Sequence, residues 1–408
     1  MKTSKYKLPL ATINHSWLDR VKLGFSLINP KFRWSMGPKV EEVEKALAQK
    51  TGYKYCVATS SGSTANTLLA MWESKKLISK KKVIFPAIAW STTVSPWIDL
   101  GFEPVFIDVR EDFPIMDENK LIDYFLDYGS DDVAAVFYVP LLGNRRNLES
   151  IKSICDGQLV RLYLDSCEDT FGIKSSPEIE AETTSFYLAH EIQACPEMGA
   201  IFTNDLSQYE YYVCARNHGM IRTLENPKTL LANSLVDRSF DFAVSGNNFR
   251  PTELSAYAVL LDMKRWDEYI EHRCKMEFVF SSNNCKAKGI LKLFLHNDIY
   301  NNEYIPFCIP VFSRAYDQRV GDEVSEFISS NLKARARRLG IEIRPIVGSN
   351  LLRQTCFRRF GDYEDYPNAE WFTKYGFYFG IPKKITKEFI EFCDYKEYLC
   401  REVCRVSK

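Results

Sequence analysis

Histidine is scarce in this chain, five in 408 residues, and one stands where proton chemistry is easily arranged. His190 belongs to the stretch Thr184-Ser185-Phe186-Tyr187-Leu188-Ala189-His190-Glu191, which is followed by Gly199-Ala200-Ile201-Phe202-Thr203. Ser185 to Tyr187 is predicted as a short buried strand and Ala200 to Thr203 as the strand it turns into. The imidazole therefore falls on the intervening turn, and with an unperturbed pKa of ~6.5 it can accept and return a proton near neutral pH. Upstream, Tyr55 to Ala58 runs as a strand into Thr59-Ser60-Ser61-Gly62-Ser63-Thr64-Ala65-Asn66, where a helix begins. Free backbone amides and a helix dipole meet at such a point and suit a phosphate, with Gly62, Ser63 and Thr64 as candidates; a plain N-cap of small residues accounts for the same letters. Asp165 ends the apolar run Leu162-Tyr163-Leu164, with Glu168 close behind. In open α/β sheets ligands gather at the carboxyl ends of strands, so Asp165 is either a site carboxylate or a capping residue. Trp90 offers a large flat face that serves a π-ring or a core equally well.

The elements that must position these groups alternate. Pro38 to Thr51 is predicted as a helix with Pro at its start and Gly52 as its stop. Strands are expected at Lys82–Pro86, Val105–Val109, Val133–Val139 and Leu162–Glu168, each separated by a helix-length segment, and a helix is expected to open over Ala87–Thr93. That pattern predicts repeated βα units and a largely parallel sheet. Leu206 to Ala215 is predicted as a helix leading to Arg216-Asn217-His218-Gly219, and residues 222–245 as a long polar loop. A long helix from about Pro251 to Ser281 marks the passage to a smaller domain, giving 1–250 as the large domain and 251–408 as the C-terminal one. In the latter a strand is expected at Ile305–Phe312, a helix at Asp322–Leu339, another strand at Ile341–Ile346 and a terminal helix from Cys393.

Composition narrows the function classes. Lys+Arg and Asp+Glu balance at 53 each, which argues against a nucleic-acid partner. No apolar run approaches the ~20 residues of a membrane span and the start lacks a signal peptide's apolar core, so a cytoplasmic protein without membrane contact is expected. The twelve cysteines contain no C-x-C or C-x-x-C pair, and Cys400 and Cys404 suit a helix face better than a ligand set. Reduced thiols and no metal are expected.

These segments together resemble the DegT/DnrJ/EryC1/StrS sugar aminotransferase family of pyridoxal-phosphate fold type I, from about residue 30 to 380. The resemblance implies an α/β architecture, a large cofactor domain with a mostly parallel sheet and a smaller C-terminal α/β domain. In that family a Ser-Phe pair is followed, five residues after the Ser, by the lysine that holds the cofactor as a Schiff base. The pair here is Ser185-Phe186 and the matching residue is His190; no lysine lies between Lys174 and Lys228. By the same resemblance Gly62, Ser63, Thr64 and Ser185 belong to the cofactor's pocket, Trp90 stacks on its ring and Asp165 pairs with the pyridine nitrogen, with Glu168 beside it. Gly246-Asn247-Asn248-Phe249-Arg250 matches a segment whose Asn, here Asn248, reaches the partner's cofactor phosphate across a homodimer with shared active sites. His218, Arg250 and Arg344 match positions near the substrate.

A histidine in place of the lysine is similar to a small branch, the 3-dehydratases of nucleotide-linked 4-keto-6-deoxysugars. That likeness implies a PLP/PMP-dependent lyase of 3,6-dideoxysugar and lipopolysaccharide O-antigen biosynthesis, with GDP-4-keto-6-deoxy-D-mannose favoured as substrate. L-glutamate regenerates pyridoxamine phosphate, its amine condenses with the C4 ketone, and His190 removes a proton from the cofactor's C4′ carbon as the C3 hydroxyl leaves. Two rivals are a non-catalytic binding or assembly subunit and a nucleotide-sugar aminotransferase. The loop after His190 departs from the family: Cys195-Pro196-Glu197-Met198-Gly199 stands for Gly-Glu-Gly-Gly, about one residue longer and two glycines short.

Overall fold

The computed structural model describes residues 5–76, 80–230, 235–282, 291–292, 304–312, 314–315 and 321–406. The elements run α1 (Trp17–Ile28), α2 (Pro38–Thr51), β1 (Tyr55–Thr59), α3 (Gly62–Lys75), β2 (Lys82–Pro86), α4 (Ser91–Asp99), β3 (Glu103–Ile107), α5 (Glu118–Tyr128), β4 (Val133–Tyr138), α6 (Leu148–Gly157), β5 (Arg161–Asp165), β6 (Ala181–Ser185), β7 (Gly199–Thr203), α7 (Leu206–Ala215), α8 (Glu253–Asp262) and α9 (Trp266–Ser282). Beyond these come β8 (Leu291–Lys292), β9 (Ile309–Val311), β10 (Arg314–Ala315), α10 (Gly321–Leu339), β11 (Ile343–Arg344), α11 (Pro367–Tyr375), β12 (Phe377–Phe379) and α12 (Lys387–Val406).

Seven strands form the central sheet in the order β1-β7-β6-β5-β4-β2-β3. Neighbours pair in parallel except β7, which runs antiparallel to both β1 and β6. Helices cover both faces, so β2 and β4 read as nearly unbroken apolar runs, and β4 is buried at all six positions. A β11-β12-β9 sheet lies in the C-terminal part. Its core joins Ile309, Val311, Phe377 and Phe379 to Ile328 and Leu332 of α10, Phe389 and Phe392 of α12, Met276 and Phe280 of α9, and Leu8 from the N-terminus.

Several boundaries follow local chemistry closely. In α2, Pro38 sits at the first helical turn and Gly52 closes the helix at φ 80°, a left-handed value that favours glycine. The amides that begin this helix are held from outside: the Glu253 carboxylate accepts from Gly37, Lys39 and Val40 N–H, each at 2.9 Å, which docks α8 on α2. Other boundaries move. The strand leading to His190 is Ala181–Ser185 rather than Ser185–Tyr187, although its Glu-Thr-Thr-Ser core is polar and fully buried. Each polar side chain has an interior partner. Glu182 accepts from Tyr53 OH at 3.0 Å and Arg145 Nη2 at 3.2 Å, Thr183 donates to Asn66 Oδ1 at 2.6 Å, and Thr184 and Thr170 hydroxyls lie 2.6 Å apart. α4 starts at Ser91 with Trp90 as its N-cap, not at Ala87. The predicted long helix is two, because a 3-10 turn at Met263–Arg265 separates α8 from α9. Only Ile309–Val311 of the expected Ile305–Phe312 strand pairs, and the terminal helix begins at Lys387, before Cys393.

Candidate active site

The carboxyl ends of β1, β2, β4, β5 and β6 open onto one cavity of about 770 Å³. Its walls bring together Gly62, Ser63, Trp90, Asp165, Glu168, Ser185, His190 and Arg344, eight residues the sequence singles out from five separate segments. A parallel sheet with crossovers on both faces leaves this edge as the place where loops converge.

At one end is the start of α3. Ser61 caps the helix by accepting from Thr64 N–H, and the Thr64 hydroxyl takes the Ser61 amide in return at 3.0 Å, so Thr64 serves the cap and does not line the cavity. The turn is tight against its neighbours. A Cβ at Gly62 would lie 2.7 Å from Ser185 Cβ, and one on Gly199, at the start of β7, would lie 2.3 Å from the Ser61 backbone. Glycine at both positions lets the β6–β7 hairpin close onto the loop.

Asp165 forms the floor, 4% exposed. Its Oδ2 accepts from Asn66 Nδ2 at 2.9 Å and Thr93 Oγ at 2.7 Å, and its Oδ1 accepts from Cys167 N–H at 3.1 Å. Three donors fix the carboxylate in place. Trp90 stands 58% exposed at the cavity wall, so its indole is no core residue and presents a free face.

His190 lies on the hairpin between β6 and β7. Its Nδ1 is 3.1 Å from the Ser185 carbonyl oxygen, which can only accept. The proton therefore sits on Nδ1, and Nε2 keeps its lone pair. The ring is held edge-on between Tyr187 and Phe307, with centroids 5.9 and 5.4 Å away. Burial draws the imidazole down from 6.5 to about 4, outweighing the Ser185 carbonyl and Asp165, so it is neutral at physiological pH. The altered loop is anchored by Phe186, whose N–H donates to Met198 O at 2.8 Å and whose carbonyl accepts from Ala194 N–H at 2.7 Å. Glu197 of that loop reaches the cavity wall.

Glu168 is lifted by burial from 4.5 to about 7, with Asp165 adding to the rise and the Leu142 amide, 3.0 Å away, opposing it. Arg344 is half exposed at the wall and pairs with Glu342 at 2.6 Å. Besides Thr64, three expected residues do not enter this chain's own cavity. His218 sits at φ 62° after α7, with its N–H on Asn247 O at 2.9 Å. Asn248 is exposed and accepts from Arg250 Nε at 2.8 Å, while Arg250 lines a different groove with Arg216 and Arg222.

Other wall residues carry no motif: Pro9, Leu10 and Ala11, Phe307, Cys308 and Tyr378. The N-terminal segment is placed by Leu10 N–H on Glu342 Oε2 at 2.9 Å and by Gly380, where a Cβ would lie 2.0 Å from Leu10 O. Asn66 was findable, as an amide among Ala65, Leu68, Leu69 and Ala70 on the buried face of α3. Among the described residues no lysine lines the cavity, no cluster of three or more His, Cys, Asp or Glu could hold a metal, and no helix is long and apolar enough to cross a membrane.

A mostly parallel sheet with one antiparallel strand, a cavity at its carboxyl edge and a small C-terminal α/β part define the fold type I class of pyridoxal-phosphate enzymes. Residues 27–392 match the model of the DegT/DnrJ/EryC1/StrS aminotransferase family, and the chain belongs to that family. It is 30% identical to the GDP-4-keto-6-deoxy-D-mannose 3-dehydratase of Escherichia coli O55:H7, over 97% of this chain and 99% of the relative. It is also similar to the E. coli GDP-4-keto-6-deoxy-D-mannose-3-dehydratase solved with bound hydrated PLP, with a TM-score of 0.81, 27% identity and coverage of 97% and 99% of the two chains. A third likeness is to a GDP-4-keto-6-deoxymannose-3-dehydratase with a trapped PLP-glutamate geminal diamine, with a TM-score of 0.79, 27% identity and the same coverage.

Proposed function

We propose that this protein is a PLP/PMP-dependent 3-dehydratase that removes the C3 hydroxyl of GDP-4-keto-6-deoxy-D-mannose, with L-glutamate as amino donor. One observation carries the reading: a neutral imidazole, anchored through Nδ1 to a main-chain carbonyl, occupies the wall of a cavity that no described lysine reaches. The residues present fit the cofactor. The start of α3, where Gly62 and Ser63 line the cavity, suits its phosphate. The free face of Trp90 suits its ring, and Asp165, held by three donors, suits a protonated pyridine nitrogen. When bound, the cofactor supplies an amine for the sugar's C4 ketone and a ring that withdraws electrons.

Everything else falls to the chain. Asp165 would keep a proton on the ring nitrogen, Trp90 would offer its face to the ring, and Ser185 would line its pocket. His190 Nε2 accepts the proton whose loss drives out the C3 oxygen; an imidazole can move protons but cannot tether the cofactor as a lysine does. Arg344, at the wall with a half-exposed guanidinium, suits the nucleotide's phosphates. Asn248, Arg250 and His218 lie outside their own cavity and are assigned to the partner's site in a homodimer. Exposed Trp17, Phe25, Ile28 and Trp34 on and after α1 support an interface on this molecule. The division near residue 250 into cofactor and smaller domains, and a cytoplasmic location, belong to the same proposal.

The test is the absorption spectrum of the purified protein with PLP, before and after glutamate. An aldehyde band that gives way to a pyridoxamine band, followed by ammonia release on adding the keto-sugar, is the expected result. No cofactor uptake would leave a binding or assembly subunit instead, and a borohydride-fixed lysine adduct would leave an aminotransferase.

A further inference from the structure

Removing a hydroxyl as water requires two protonic groups. One takes a proton from carbon; the other gives a proton to the departing oxygen, because hydroxide is a poor leaving group. His190 supplies the first and, neutral with its only N–H bound to Ser185 O, has no proton to give at the outset. Besides Asp165 the cavity wall carries three carboxyls, Glu168, Glu197 and Glu342; Glu197 is exposed and Glu342 is paired with Arg344, which leaves Glu168 for the second task. Glu168 stands three residues beyond Asp165, on the loop after β5, and lines the same cavity. Its Oε2 is pinned by the Leu142 amide at 3.0 Å; among the described residues it forms no ion pair, and no hydrogen bond involves its Oε1. The carboxyl is thus fixed at one oxygen and open at the other.

We infer that Glu168 is the general acid that protonates the departing C3 hydroxyl. The assignment rests on the dehydratase reading above. Burial and the neighbouring acidic groups favour the protonated form, against the single opposing contact of the Leu142 amide. Asp165 faces it from β5, Cys167 adjoins it in the chain, and Cys308 and Tyr378 face it from the C-terminal wall, where both feel its charge. None of these is a cation; Arg344, also on the cavity wall, pairs with Glu342. Burial lifts Glu168 to about 7 while it draws His190 down to about 4, and two groups driven apart in this sense are an acid and a base at neutral pH. The balance closes without another reactant. His190 takes one proton, the C3–O bond breaks with its electron pair on oxygen, and Glu168 donates the proton that makes the oxygen water. The imidazolium proton then returns, through solvent, to the carboxylate.

The leaving group tests this. Wild type and Glu168→Gln, both loaded with cofactor and glutamate, are compared on the 3-hydroxy substrate and on its 3-deoxy-3-fluoro analogue, since fluoride departs without a general acid. The expected result is a loss of about 10²-fold or more in water elimination by E168Q, with fluoride release kept within a few-fold of wild type. Equal losses on both substrates, or no loss on either, overturns the assignment and leaves the dehydratase reading standing. A wild-type enzyme inert toward both substrates removes the reading and the assignment together. A second readout needs no turnover: infrared difference spectra of the cofactor-free protein should show a protonated carboxyl band that titrates near neutral pH and is absent from E168Q. A spectrum unchanged by the substitution overturns the assignment.

Discussion

His190 is the residue on which the proposed chemistry turns, and its setting makes two predictions. His190→Asn preserves a ring-sized polar group but cannot accept a proton, so ammonia release should fall by about 10²- to 10⁴-fold while PLP is still taken up, as read by absorbance. The second concerns pH. The folded imidazole titrates near 4 instead of 6.5, so between those values the unfolded chain binds a proton that the folded one refuses. Its contribution to stability is therefore complete above about 6.5 and is lost as pH falls toward 4. Denaturant midpoints measured across this window should decline less steeply for H190N than for wild type. The position was legible from sequence because Ser185-Phe186 fixes the count to residue 190; the neutral state was not, since it depends on Phe307, more than a hundred residues away. Glu168 was legible only as a neighbour of Asp165, because its raised pKa comes from walls contributed by distant strands.

At the scale of elements, the β1–α3 turn and the β6–β7 hairpin form one unit. Gly199→Ala would set a Cβ 2.3 Å from the Ser61 backbone, which cannot yield as a flexible side-chain end would. The expected cost is about 1–3 kcal/mol or more in stability, with weaker PLP binding, measured by thermal melting and cofactor titration. Ser61→Ala removes only the cap, so about 1 kcal/mol and a smaller loss of PLP affinity are expected. Here the sequence spoke unevenly. Helices with a Pro start and Gly stop, such as α2, and unbroken apolar strands, such as β2, could be bounded to the residue. β6 could not, because a buried Glu-Thr-Thr-Ser strand looks like a loop until Tyr53, Arg145, Asn66 and Thr170 are known to surround it. The α8–α9 break was hidden for the opposite reason: nothing in the run Met263–Arg265 forbids a helix.

At the scale of the whole molecule, the site draws on both ends of the chain. Pro9 to Ala11 line the cavity only because Leu8 joins the C-terminal core and Leu10 bonds Glu342. A segment with no motif is silent in sequence, and its role appears only once the fold brings residues 10 and 342 together. If Asn248 serves the neighbouring subunit, then H190N and Asn248→Ala damage different halves of a shared site. Each alone should be poor in ammonia release, whereas subunits of the two variants, unfolded together and refolded as a mixture, should regain activity that neither shows by itself. No gain on mixing would place Asn248 outside the site. The anchor on His190 has a last consequence. The oxygen that orients the ring belongs to the main chain at Ser185, so no side-chain replacement can delete it. The lip of the hairpin is thereby free to drift in composition, as the cysteine and proline at 195 and 196 illustrate, while the imidazole keeps its aim.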